Sequence, residues 1–167
     1  KIGAVFVHYS TDHVFDGKKK RGYKEADEAS PVNRYGKSKL HGEKRVLELS
    51  GKGLKWYLIR TSKLFGPKGA SPVAKANFFD IMLKQAGEKT AIEAVNEELS
   101  NFTYTPDLAR ATKALLASSR GFGIYHLTNG GVCSRYDWAG KILELAGRGH
   151  VPVEPITVIS AKRVTAA

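Results

Sequence analysis

Apolar runs and apolar periodicities alternate along this chain, and their order predicts strands and helices in turn. Residues 2–9, IGAVFVHY, form a continuous apolar, β-rich run. Such a run reads as a parallel strand covered on both faces. Ser10, Thr11 and Asp12 follow at its carboxyl end, the side of an open α/β sheet on which ligands bind. Turn hydrogen bonds are the plainer role for Ser10 and Asp12. Residues 15–30, FDGKKKRGYKEADEAS, are charged and glycine-containing and read as a long surface loop. Pro31 then leads into a helix running to about Leu49, with Leu40, Val46 and Leu47 as packing residues and Gly51 and Gly53 ending it.

The pattern then repeats. Residues 54–60, LKWYLIR, predict the next strand, and 61–71 a glycine- and proline-containing loop at its carboxyl end. Strand, helix, strand in this order argues for a parallel α/β sheet. Phe78, Phe79, Met82, Leu83 and Ala86 form an apolar stripe at helical spacing over 77–86, which reads as core. A short strand over 90–95 and a polar connection over 97–103 follow. Thr105-Pro106-Asp107 opens a helix with a capping hydroxyl and a proline at its first position, and Leu108, Ala111, Thr112, Leu115 and Leu116 give it an apolar side. Residues 123–127 predict a strand in which His126 packs. Ser134 caps a last helix with Asp137 at its positive end, and Trp138, Ile142 and Leu145 form its buried face. Residues 151–159 read as extended.

Composition narrows the class. The 167 residues suffice for one domain with a real core or for parts of two. No apolar stretch approaches the ~18 residues of a membrane span, so no membrane is expected. Cys133 is the single cysteine, which excludes an internal disulfide and suits a reducing cytoplasm. The formal charge of +11 raises nucleic-acid binding. The lysines are scattered, however, and the one cluster, Lys18 to Arg21, lies in the loop. Nucleic acid is therefore not expected, and an anionic small substrate benefits from the same field. There is no initiator methionine and no signal-peptide pattern, and the chain opens almost directly on a strand. A fragment lacking its N-terminal part is expected.

The chemistry concentrates in residues 31–43, PVNRYGKSKLHGE. Tyr35 and Lys39 are four apart in the helix and share one face, one turn apart. A phenol beside an ammonium is an acid–base device, because the positive charge favours the ionised phenol. A solvated lysine beside a packed tyrosine has the same spacing, so spacing alone does not choose.

The context chooses. STDHVFDG at a strand end, PVNRYGKSKLHGE on the next helix and RTSKLFGPKG after the next strand stand in order. Together with FTYTPDLARAT and GIYHLTN they resemble the dTDP-4-dehydrorhamnose reductase family of the extended short-chain dehydrogenases/reductases. The resemblance covers nearly the whole chain. It implies a Rossmann-type parallel α/β sheet, here its C-terminal half, with a smaller mixed α/β substrate-binding portion. Residues 1–66 would hold the half of the cofactor domain with the Tyr–Lys helix. Residues 67–167 would be mainly substrate-binding, interleaved with a Rossmann strand near 123–128.

The implied reaction is the NADPH- or NADH-dependent reduction of a 4-keto sugar nucleotide, dTDP-4-dehydro-L-rhamnose foremost, in deoxysugar and polysaccharide synthesis. By motif position Tyr35 donates the proton, Lys39 holds the nicotinamide ribose, and Thr11 hydrogen-bonds the carbonyl oxygen. Ser10 and Arg60 join Tyr35 and Lys39 on the cofactor side. Asp12, His13, Lys63, Asn77 and Phe78 fall on the substrate side. His13 and Lys63 stand where relatives often carry an aromatic residue and a tryptophan, which leaves the sugar open. The glycine-rich pyrophosphate turn of these enzymes does not occur in this sequence. Some relatives use magnesium at a dimer contact, but no ligand cluster here supports it, and no metal residue is assigned; a homodimer is the expected assembly. Two rivals share these features: a sugar-nucleotide epimerase or dehydratase of the same superfamily, and a non-catalytic, reductase-like regulatory subunit.

Overall fold

The structure, a computed structural model, describes residues 3–67, 69 and 76–161. The described residues divide into two units, 3–62 with 107–128 and 63–106 with 129–161. The first is built on strands β1 (Phe6–Thr11) and β2 (Trp56–Thr61). Helix α1 (Arg34–Ser50) connects them, and the strands are parallel, as a βαβ connection requires. Strand β6 (Gly123–His126) joins the other edge of β2, also parallel, giving the order β1-β2-β6.

Strand β2 is buried along its whole length, and its side chains alternate between two helical layers. Trp56 and Leu58 pack with Val46 of α1. Tyr57 and Ile59 pack with Leu108 and Leu115 of helix α3 (Thr105–Ala117), which belongs to this unit from Asp107 on. This is a Rossmann-type parallel α/β layer, as the sequence predicts. Arg60 shares the face of Trp56 and Leu58, so a guanidinium lies in the layer under α1.

The second unit pairs β4 (Ile92–Val95) with β7 (Val153–Ile156) and β3 (Leu64–Phe65) with β5 (Thr103–Tyr104), both in parallel. Helices α2 (Phe78–Glu88) and α4 (Arg135–Leu145) contribute Met82, Ala139, Ile142 and Leu143 to a core with Ile92, Ala94 and Val151. Both helices open with a capping box. Asn77 and Asp80 close one, and Ser134 and Asp137 the other.

Several expectations need correction. Strand β1 begins at Phe6 and runs through Thr11; Ile2, the predicted start, lies outside the described residues. It is also not covered on both faces. It is an edge of the described sheet, and Val5, Phe6 and Tyr9 are exposed. Leu47, Leu116 and Phe79 are exposed as well. Leu145 is 73% exposed while Leu143 is buried, because the face of α4 that meets the core runs through Ala139, Ile142 and Leu143. Strands β3 and β5, two residues each, fall in segments that read as loop and polar connection. They are too short to carry a period, and their pairing is tertiary.

Ser134 is fully buried and its Oγ accepts the Asp137 amide at 3.0 Å. Ser134→Ala removes that cap and is expected to lower the stability of this unit by about 1 kcal/mol. Chemical denaturation followed by tryptophan fluorescence checks this, with Ser134→Thr retaining most of the stability.

Candidate active site

Thr11 ends β1 in a buried position, and the chain turns at once into a short 3-10 turn, Asp12–Val14. The Thr11 hydroxyl accepts the His13 amide at 3.2 Å and donates to Asp12 Oδ1 at 3.0 Å. Asn33 caps α1, its Oδ1 accepting the Gly36 amide at 2.8 Å. Its Nδ2 lies 3.0 Å from His13 Nδ1. The same asparagine therefore starts the helix and fastens it to the 3-10 turn. Gly36 makes this approach possible: a Cβ there would overlap the His13 carbonyl and lie 2.9 Å from Pro31 Cβ.

This seating brings Tyr35 beside His13, with ring centroids 5.6 Å apart in an edge-to-face arrangement. Tyr35 is 57% exposed, and its hydroxyl has no hydrogen-bond partner among the described residues. Lys39, one turn further on, reaches back to β1, where its Nζ donates to the Tyr9 carbonyl at 2.5 Å. Thr61, the register partner of Thr11, ends β2, and its buried Oγ1 has no hydrogen-bond partner among the described residues. Thr11, Asp12, His13, Tyr35 and Lys39 thus all belong to the carboxyl end of β1 and the first turns of α1. The arrangement offers hydroxyl donors and an ammonium at one sheet end, a set suited to an oxygen gaining negative charge.

Ser10 and Arg60 have different surroundings. They are register partners on β1 and β2, and both reach Glu43 of α1. The Ser10 hydroxyl donates to Glu43 Oε1 at 2.5 Å. Arg60 donates through Nε to Oε1 at 3.0 Å and through a terminal nitrogen to Oε2 at 2.7 Å. Glu43 is 1% exposed and Arg60 5%. Removing one partner of such a buried pair leaves an uncompensated charge and costs about 3–5 kcal/mol. The other terminal nitrogen of Arg60 donates to the Glu25 carbonyl at 3.4 Å, and the guanidinium stacks 5.0 Å above the Phe15 ring. Phe15 in turn stacks on Tyr23 at 4.2 Å, whose hydroxyl donates to Asp16. His126 of β6 sets its ring edge on Phe15 and gives its backbone N–H to the Glu25 carboxylate. Burial, before all else, lowers the His126 pKa. Burial, and then Lys39, lowers that of His8, which lies against Gly42 of α1.

Sequence reading passed over Glu43. A carboxylate four residues after Lys39 reads as its surface ion-pair partner; the repeat of polar residues at 35, 39 and 43 on one face was the available signal.

Lys63, Asn77 and Phe78 belong to the second unit. Lys63 has φ 33°, in the left-handed region. Its side chain is 14% exposed, pairs with the buried Glu98 at 3.5 Å and stands 6.0 Å over the Phe102 ring. Phe102 stacks on Trp138 at 3.9 Å, and Trp138 on Phe78 at 5.2 Å. Asn77 caps α2, its Nδ2 donating to the Gly66 carbonyl at 2.8 Å. The three therefore border one aromatic cluster, to which Glu98, Phe102 and Arg135 belong without having been singled out. Cys133 is a free thiol whose pKa burial raises. Among the described residues no group of three or more His, Cys, Asp or Glu could hold a metal ion, and no helix is long and apolar enough to cross a membrane.

A parallel α/β layer with threonines at its strand ends and a Tyr–Lys pair on the following helix is a Rossmann-type arrangement. The chain belongs to the RmlD substrate binding domain family, whose model matches residues 1–167. It is 42% identical over 147 residues to the spore coat polysaccharide biosynthesis protein SpsK of Bacillus subtilis (strain 168), covering 88% of this chain and 48% of that protein. It is 36% identical over 151 residues to the dTDP-4-dehydrorhamnose reductase of Burkholderia thailandensis, covering 86% and 48%. The crystal structure of dTDP-4-dehydrorhamnose reductase from Bacillus anthracis str. Ames in complex with NADP superposes with a TM-score of 0.88 at 34% identity, over 99% of this chain and 55% of that one. The chain spans about half the length of the curated relatives it matches.

Two outcomes follow from this geometry. Gly36→Ala, favourable by helix propensity, is expected to destabilise by about 1–3 kcal/mol because the added methyl meets backbone; urea denaturation measures the sign. His8 and His126 both resist protonation in the folded state relative to a free imidazole, which titrates at about 6.5. The unfolded chain therefore binds more protons as pH falls through 6.5, and stability is present above that pH and declines below it, until the lowered folded values are passed. Thermal melts between about pH 7.5 and about pH 5.5 should show this decline, shallower in His126→Gln and His8→Gln.

Proposed function

We propose that this chain carries the catalytic residues and the substrate-recognising portion of an NAD(P)H-dependent reductase acting on a 4-keto sugar nucleotide, dTDP-4-dehydro-L-rhamnose foremost. The observation that carries the reading is Tyr35, exposed and without a hydrogen-bond partner among the described residues, one turn before Lys39 and beside the strand end that bears Thr11. The named activity of the relatives, together with the NADP of the Bacillus anthracis complex, supports it.

The donor set suits a nicotinamide ribose and a ketone. Lys39 uses one of its three N–H bonds on the Tyr9 carbonyl, which leaves donors for a ribose diol. When bound, the reduced nicotinamide supplies the hydride that the carbonyl carbon accepts. Tyr35 delivers its hydroxyl proton to the carbonyl oxygen, so that C=O becomes CH–OH. Thr11 hydrogen-bonds that oxygen and orients it, which matters most as negative charge develops there. Lys39 holds the ribose and keeps a positive charge beside the phenol. The first unit carries this chemistry, and the second carries recognition of the sugar nucleotide. Asp12 and His13, and Lys63 with Phe78 on the aromatic cluster, are assigned to the substrate; Asn77 acts by capping α2. A ketone-bearing sugar with an anionic diphosphate accords with the chain's net charge of +11. The free Cys133 thiol accords with a reducing cytoplasm as the place of work.

The test uses the full-length protein with NADPH or NADH and dTDP-4-dehydro-L-rhamnose, following loss of reduced-nicotinamide absorbance. Tyr35→Phe is expected to lower kcat by about 10²–10⁴-fold. Lys39→Ala lowers kcat and raises the cofactor KM together. Stoichiometric consumption of reduced cofactor separates a reductase from an epimerase or dehydratase. Absence of turnover with every 4-keto sugar nucleotide overturns the reading and favours a non-catalytic subunit.

A further inference from the structure

Tyr35, Lys39 and Glu43 recur every four residues along α1 and share one face. The first two stand at the carboxyl end of β1; the third is buried beneath the helix. Of the seventeen residues of α1, those buried are Gly36, Glu43 and Val46. An amphipathic helix ordinarily seats itself by an apolar stripe, and here one valine is the whole of the fully buried apolar contribution. The polar contact is correspondingly specific. A guanidinium fork on a carboxylate fixes both distance and angle, whereas apolar contacts permit sliding.

We propose that Glu43, gripped by Arg60 and Ser10, is a positioning residue for the reduction: it sets the depth and rotation of α1 on the sheet and so determines where Tyr35 and Lys39 stand over Thr11. The proposal rests on the reductase reading. Its partners adjoin the reacting groups in sequence. Ser10 precedes Thr11, and Arg60 precedes Thr61, the register partner of Thr11. The grip also reaches the loop over 15–30. Arg60 holds the Glu25 carbonyl and stacks on Phe15, so the loop and the catalytic helix are fastened to one ion pair. Ser10 and Arg60 have their side-chain donors engaged by Glu43 and the Glu25 carbonyl and act through them.

The deciding variant in the full-length protein is the double replacement Glu43→Leu with Arg60→Met. It removes both charges together and leaves no orphaned ion, so the fold can survive with its apolar packing extended. A purely structural pair predicts altered melting and unchanged turnover. The positioning role predicts kcat lower by about tenfold to a hundredfold in the folded double variant, as expected for a misplaced proton donor. It also predicts a weaker reduced-cofactor Kd, because Lys39 moves with Tyr35, a substrate KM within about threefold of wild type, and a larger solvent deuterium isotope effect on kcat, because proton delivery becomes limiting. A folded double variant with wild-type kcat overturns the proposal. If the double variant does not fold, Arg60→Lys, which keeps the charge and loses the fork, decides on the same criteria. Absence of turnover in the wild type is a failure of the reductase reading and not of this one. Amide hydrogen exchange over 34–42 then decides: at matched global stability it is at least about tenfold faster in the variant if Glu43 seats the helix, and unchanged exchange overturns the proposal.

Discussion

The ion pair between Arg60 and Glu43 lies where an ordinary α/β layer would place two aliphatic side chains. A buried pair of this kind contributes little net stability, because the loss of hydration offsets most of the attraction. What it contributes is geometry. Both carboxylate oxygens and both forward nitrogens are used, and the Ser10 hydroxyl takes a further place on Oε1. Three elements of the first unit, β1, β2 and α1, are thereby joined at one point. A fourth, the charged loop after β1, hangs from the same guanidinium through Glu25 and Phe15. Around this point the apolar packing of Trp56, Leu58 and Val46 closes one layer, and that of Tyr57, Ile59, Leu108 and Leu115 closes the other.

The groups proposed to react occupy the rim of this arrangement. Tyr35 and Lys39 lie in the first turns of α1, ahead of the buried Glu43, and Thr11 is the next residue after Ser10. A site of this design is exposed where chemistry requires access and rigid immediately below. The cap from Asn33 and the close approach at Gly36 add a second fastening, between the start of the helix and the 3-10 turn that carries Asp12 and His13. Two fastenings about two to three turns apart along a helix constrain its position and its rotation together. In the second unit the organising feature is different. Stacked aromatic rings, Phe78, Trp138 and Phe102, with Lys63 and Arg135 set against their faces, adjoin its apolar core.

Much of this was legible in the chain. The order of apolar runs and helical stripes named β2 and helices α1 to α4, because β2 is buried throughout and each helix buries part of its predicted stripe. The caps at Ser134 and Asn77 follow from local chemistry. The Tyr–Lys spacing placed both side chains on one helix face, and neighbouring motifs carried the resemblance to a reductase family. The errors share a cause. The exposure of Phe6 and Tyr9 on β1, and of Leu145 on α4, depends on which neighbours arrive, and an apolar side chain does not announce its neighbour. The two-residue strands β3 and β5 have no period to read.

Sequence by itself determined the class of fold, the helix over 34–50 and the residue types at the strand ends, since these depend on periodicity, capping and spacing within a few residues. Only the tertiary structure decided that Glu43 turns inward, that Ser10 and Arg60 meet it, and that Lys63 settles against Glu98 and Phe102. The physical reason is that the partner of a charge is chosen by desolvation. An exposed carboxylate takes whichever cation is near or takes water, while a buried one must be matched, and burial is a property of the assembled layers that no local stretch of the chain contains.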